Sequence, residues 1–244
     1  MTTNQTDAER RDVAPRENVT DGLLLNAQQF SAWIRQGQIP PPDVDHALRC
    51  ATYAAELGRA LAPDLDLTDI DVTIVTVAAL LHDVGYHRSA RDHHRKTWDA
   101  VLRMRLDGLT WEEQRLAALA ARFHGTDSPS IGHAGFEDLE FEEQRRCRRH
   151  VALVKLAVAL DASHLGHVER VSIERRDGVP HVIAHANVES AVERDRLRDA
   201  SHQYARITHR PLTSELRVTS TLATPDVRAD TDAMPTAIES DEES

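Results

Sequence analysis

The chain holds only two cysteines, Cys50 and Cys147, in 244 residues. Two thiols make no disulfide framework, so a reducing, cytoplasmic setting is the expectation. Aromatic residues amount to 4%, which disfavours a sheet-rich fold, because strands draw on aromatic and β-branched side chains. Long apolar runs are lacking. The most apolar stretch, Ile74 to Leu81, is far too short to span a bilayer. The polar N-terminal residues offer no apolar leader core, so no membrane association is expected. Positive charge is also scarce, with 29 Lys and Arg against 40 Asp and Glu and a net charge of -11. That balance argues against binding a nucleic-acid duplex, which needs clustered cations. Much of the acidic excess sits in the last twenty residues, where seven carboxylates face Arg228 alone.

What is abundant is helix-forming: alanine, leucine, arginine and glutamate dominate. Residues 1–20 and 222–244 are polar, without apolar periodicity, and read as disordered. Between them, 21–221 reads as the ordered domain. A helix is expected within 21–36, ended by Pro40-Pro41-Pro42. A second, capped by Asp43 and closed by Pro63, carries Val44, Ala47, Leu48 and Ala51 on one side. Thr68 to Asp71 opens a third with an approximate capping box. Its apolar character all round, from Ile70 to Leu81, predicts full burial, and Gly85 reads as its C-terminal stop. Further helices are expected over 92–105, from the capping box at Thr110 to His124, and over 141–163. Then the period changes. Val168 to Arg175 and Pro180 to Ala186 flank Asp177-Gly178, a hairpin signal. A helix over 188–207 and a strand over 214–219 follow. The fold class is mainly α: a helical bundle with a small C-terminal β-hairpin element.

Histidine is plentiful, at 14. His82-Asp83 closes the most buried helix, where a carboxylate must be paired or bind a metal. His46 lies on an upstream amphipathic helix, and Asp161 follows the apolar run Val151 to Leu160. Two His and two Asp form a mixed N/O donor set for one divalent ion, and Mg, Mn, Fe, Co, Ni and Zn are not distinguished. Such an ion activates water and polarises a phosphoryl oxygen.

The order His, His-Asp, Asp on successive helices resembles the HD-domain phosphohydrolase superfamily. Ala79 to Tyr86 (ALLHDVGY) is similar to its central motif. His93 to Thr97 (HHRKT) resembles the His-His-Lys-His-Ser motif of the C-terminal domain of the exopolyphosphatase/guanosine-pentaphosphate phosphatase (Ppx/GppA) family. Ala121 to His124 (ARFH) and Leu160 to Val168 (LDASHLGHV) resemble two more motifs of that branch. The likeness extends over about 40 to 220. The actin-like domains that carry exopolyphosphatase chemistry find no room here, so that activity is not inherited from the resemblance.

The resemblance implies a metal-dependent phosphohydrolase, with His46, His82, Asp83 and Asp161 on the ion and His82 and Asp83 at the catalytic centre. His94 and His124 stand where binuclear relatives hold a second ion, with His93 competing for the place of His94. His124 beside Gly125 also reads as a helix-end residue favoured by the dipole. His164, three residues after Asp161, falls on the same helical face and reads equally as a substrate contact or a structural hydrogen bond. Arg88, Arg91, Arg95 and Lys96 are candidates for substrate phosphates, with solvated surface as the even alternative. The run Arg145 to Arg149 reads as a solvated helix face. The expected partner is a small phosphorylated substrate or nucleotide, and a homo-oligomer is compatible with the sequence. The alternative function is a catalytically silent regulatory domain that binds a nucleotide or polyphosphate.

Overall fold

The computed structural model describes residues 44–86, 91–104, 106–125 and 127–219. The helix expected within 21–36, the Asp43 cap and both terminal segments lie outside them. The described residues form six helices and three strands: α1 (Val44–Leu65), α2 (Asp69–Leu81), α3 (His93–Arg103), α4 (Trp111–Arg122), α5 (Phe141–Ala159), β1 (Val168–Arg176), β2 (Val179–Ala186), α6 (Ala191–Thr208) and β3 (Thr213–Val218). The fold is mainly α with a small β element.

α2, the most apolar helix, and α5 sit at the centre. α2 packs against α1, α4 and α5, and α5 also meets α1, α4 and α6. Every residue of α2 from Ile74 to Leu81 is buried, as the all-round apolar pattern requires. α1 does not stop at Pro63 but runs to Leu65. Pro63 lies in the last turn, where its missing N–H forfeits a single helical bond. Leu61 and Leu65, four residues apart and fully buried, hold that turn on the core.

The capping box of α2 is also a clamp. Asp71 accepts a hydrogen bond from Thr68 N at 2.8 Å, which is the capping return. Its other oxygen accepts from His150 Nε2 at 2.7 Å and from Arg146 Nε, both on α5. The run Arg145 to Arg149 is therefore not one solvated face. Arg146 and His150, four residues apart, turn to Asp71, and the others point elsewhere. The Nδ1 of His150 is buried with no hydrogen-bond partner. Burial keeps this ring neutral by lowering its pKa.

Gly85 ends α2 for a different reason from the expected one. Its φ is not in the left-handed region. It is needed for close approach: a Cβ there would lie 2.3 Å from Thr97 N and 2.6 Å from the His93 carbonyl oxygen. Thr97 completes the contact. Its Oγ1 donates to the His82 carbonyl at 2.9 Å and accepts from Gly85 N at 3.1 Å. So α3 is seated against the turn that carries His82-Asp83. The far end of α3 is held by Gln114 of α4, whose Nε2 donates to the Val101 and Met104 carbonyls, each at 2.8 Å. These are the orphan acceptors of a helix C-terminus.

α5 ends at Ala159, short of the expected 163, and the chain turns through Asp161 to His164. β1 and β2 form the expected hairpin, antiparallel about Asp177 and Gly178, whose φ values are 52 and 79. Two positive φ values in a two-residue loop match the twist of the strands. α6 then crosses over, and β3 joins β2 in parallel to give the order β1-β2-β3. Tyr53 Oη of α1 donates to the Val168 carbonyl at 2.5 Å, tying the sheet to the helices.

Two outcomes are expected. Asp71→Ala leaves His150 and Arg146 without their acceptor and costs about 3 kcal/mol by urea titration. Burial alone would raise the Asp71 pKa, but hydrogen bonds from His150 and Thr68 outweigh it and hold the carboxyl below the usual range. A depressed folded-state pKa contributes stability above the unfolded value, ~4, and loses it as pH falls through the folded one. The stability gap between wild type and Asp71→Ala should therefore be flat from neutral pH to ~5 and shrink below ~4; a gap that widens in acid would exclude the clamp. Gly85→Ala should cost about 3 kcal/mol through backbone displacement, and a variant as stable as wild type would refute the close-approach reading.

Candidate metal centre

Five chain segments converge on one cleft of about 400 Å³, lined by His46, His82, Asp83, His93, His94 and His124 among others. His46 comes from the first turn of α1. His82 and Asp83 occupy the turn after α2. His93 and His94 open α3, His124 follows α4, and His164 stands in the turn after α5. All but His164 are thus placed at a helix end or in its first turn, where a side chain can leave the packed core.

The hydrogen bonds around His46 and His82 set their tautomers. His46 Nδ1 lies 2.8 Å from Asp161 Oδ2, so this nitrogen carries the proton and donates to the carboxylate. His82 Nδ1 lies 2.7 Å from the Ala79 carbonyl oxygen and must likewise be the donor. In the neutral rings both Nε2 atoms are then acceptors; they face each other at 3.1 Å, and the Cys50 sulfur lies 3.7 Å from His46 Nε2. Both rings are buried, at 2% and 1% exposure. Two lone pairs that close in a dry place repel unless a cation lies beside them.

Asp83 stands next to this pair. Its carboxylate is 3.5 Å from His82 Nε2 on one oxygen, and 3.5 Å from His124 Nε2 and 3.8 Å from His93 Nε2 on the other. His124 Nδ1 is engaged by the Ala121 carbonyl at 2.7 Å, so its Nε2 is also a bare acceptor aimed at Asp83. Four sets of donor atoms gather within 4.8 Å: His46, Asp83 and His164; His82, Asp83 and His124; His93, His94 and His124; and His46, Cys50 and His82. Asp83 belongs to two of them, and His124 links the second to the third. The arrangement could hold one or two ions.

Burial dominates the titration here. It lowers the pKa of His46, against the opposing hydrogen bond to Asp161, and it lowers His94 and, more strongly, His124. Neutral imidazole is the form that ligates. For Asp83 burial acts in the raising direction, but the neighbouring His82, His124 and His93 outweigh it and hold the carboxyl below the usual carboxylate range. Burial pushes the Cys50 thiol well up, so it stays protonated.

Asp161 sits behind His46. Oδ2 takes the His46 proton and Arg49 Nε at 2.9 Å, and Oδ1 takes Gly166 N at 2.8 Å. The sequence pattern counts it as a ligand; here both of its oxygens accept hydrogen bonds, and one of them faces His46 Nδ1. His164 is not on a helical face with Asp161. Its φ is 64, and its ring stacks on His46 at 3.6 Å and 11°. Both members of the His93/His94 alternative line the cleft, with ring centroids 3.8 Å apart. Gly125 makes the room: a Cβ there would lie 2.7 Å from His94 Cε1.

The basic candidates fare differently. Arg88 lies outside the described residues. Arg91, Arg95 and Lys96 are exposed and do not line the cleft. With roughly 100° per residue, turning His93, His94 and Thr97 inward carries Arg95 and Lys96 away. The cations that do reach it are Lys155 of α5 and Arg196 of α6. Lys155 is 3% exposed and donates to the Gly125 carbonyl, and burial lowers its pKa to about 8. A lysine inside the apolar run Val151 to Leu160 is the signal that could have found it. Arg49 is one turn on from His46 and carries no such mark. Glu193, fully buried, accepts from Ser163 N at 2.9 Å and so fastens α6 to the turn that carries Asp161 and His164.

A family model described as Ppx/GppA phosphatase, domain III, matches residues 41–198. No curated protein matches the chain. No helix among the described residues is long and apolar enough to cross a membrane. The matched segment takes in Asp83 and the histidines that line the cleft and well over half of the sequence, and the chain belongs to the Ppx/GppA phosphatase family through its domain III.

Proposed function

We propose that the chain is a metal-dependent phosphohydrolase of the HD type, acting on a phosphoester or nucleotide-type substrate. The observation that carries this reading is the pair of Nε2 acceptors of His46 and His82, 3.1 Å apart in a buried site and flanked by the ionised Asp83. The donors fit a divalent ion. His46, His82 and Asp83 would hold the first, with Asp161 setting the ring of His46. His124, His94 and the second oxygen of Asp83 would hold another. A donor set this rich in imidazole suits Zn, Fe, Co or Ni over Mg or Ca. A bound divalent ion supplies a water of lowered pKa and polarises the phosphoryl oxygen.

The other groups serve the substrate. Lys155 presents a buried ammonium on the wall of the cleft, and Arg196 enters from α6. Both are placed to neutralise phosphate oxygens. His164 stacks on His46 and lines the same cleft, where it would touch the leaving group.

Elemental analysis of the purified protein should find transition metal bound, and Asp83→Ala should lose the metal and reduce turnover on a phosphoester panel to background. Metal and turnover both retained in Asp83→Ala would sink the assignment. Lys155→Met should raise KM by about tenfold, the loss of one charged hydrogen bond, with metal content unchanged and partial recovery in Lys155→Arg. An unaltered KM would remove Lys155 from the substrate site.

A further inference from the structure

A second and larger cavity, of about 1060 Å³, lies away from the histidines and shares none of their lining. It opens between the N-terminal half of α5, the C-terminal end of α6 and the loop Asp127 to Pro129. Its volume is at the upper end for small-molecule sites, ~300–1,000 Å³. Its distinguishing feature is charge. Arg145, Arg148 and Arg149 of α5 face Arg206 and Arg210 across it, and among the described residues Asp127 is the one carboxylate of the lining. The helical spacing accounts for this: 145, 148 and 149 share a face from which Arg146 is turned away to Asp71.

Some of this charge is compensated. Asp66 lies 3.7 Å from Arg149 and 3.4 Å from Arg210, and Glu142 lies 3.2 Å from Arg145. Arg148 and Arg206 pair with no carboxylate among the described residues. Arg148 is steadied by a different contact, with its guanidinium 4.8 Å from the centroid of the fully buried Phe136 ring. That cation–π contact positions the charge without neutralising it. Gathering five guanidiniums around one hollow, in a chain of net charge -11, costs mutual repulsion that a bound polyanion relieves. Phe141, the first residue of α5, stands at the same cavity with 68% of its surface exposed. Its ring offers a stacking face, already approached by Arg145 at 6.0 Å.

We propose that this cavity binds a nucleoside di- or triphosphate, with the phosphates on Arg148, Arg149 and Arg206 and the base stacked on Phe141. Arg206 and Arg210 fall beyond the segment that the family model matches, and the site does not depend on the metal chemistry of the histidine cleft. Guanidiniums take phosphate oxygens in bidentate fashion, and aromatic side chains stack on any base.

The test is calorimetric titration of the full chain with ATP, GTP, inorganic triphosphate and adenosine, in EDTA to keep metal out of the histidine cleft. Both nucleotides should bind saturably, more tightly than triphosphate or adenosine alone. Arg148→Ala with Arg206→Ala should weaken ATP by on the order of tenfold or more, and Phe141→Ala should bring ATP down towards triphosphate. Asp83→Ala should leave ATP binding unchanged. If the double variant melts early, Arg206→Glu alone, at an exposed position, should produce the same loss. Absence of saturable ATP binding overturns the proposal, as does binding that survives in Arg206→Glu or disappears in Asp83→Ala. Triphosphate that binds as tightly as ATP overturns the role of the base.

Discussion

The facing Nε2 atoms of His46 and His82 are the constraint around which the other contacts are arranged. Two imidazole acceptors in a dry site do not stay 3.1 Å apart unaided. Each is pinned from behind. The carboxylate of Asp161, itself held by Arg49 and Gly166 N, fixes one ring, and the Ala79 carbonyl fixes the other. Those anchors belong to α1, to the turn after α5 and to α2. The packing of these three helices is therefore what brings the donors together, and core and site cannot be varied independently. The same holds for α3. It delivers His93 and His94 only because Gly85 lets its backbone come close and Thr97 ties the turn at both ends.

Much of the fold was legible in the sequence because the signals were local. The capping residues Thr68 and Thr110 begin helices where expected, and Asp177-Gly178 makes the predicted turn. The all-round apolar pattern of α2 pointed to the centre of the molecule. The ligand candidates followed from the same logic, since a charged group on a wholly apolar helix needs a reason. His46, His82, Asp83, His94 and His124 are all brought to one cleft.

What escaped the sequence was orientation. Lys96 and Lys155 look alike in composition, yet one faces solvent and the other lies 3% exposed in the cleft. The difference is the angle at which each helix meets its neighbours, and no local pattern encodes it. His164 was placed on a helix that in fact ends five residues earlier, so its stacking on His46 could not be foreseen. The arginine run was read as uniform, although a helix turning through it must send members to different sides. Gly85 reads in the sequence as a C-terminal stop, when its function is to have no side chain in the path of α3.

α5 unites these observations. Arg146 and His150 clamp it to α2, Lys155 faces the histidine cleft, Asp161 follows its last turn, and Arg145, Arg148 and Arg149 line the basic cavity. Arg148 and Lys155 are two turns apart, about 10 Å along the axis. Both cavities also draw on α6, with Gln203 at one and Arg206 at the other. The two hollows are thus successive openings along a single α5–α6 seam.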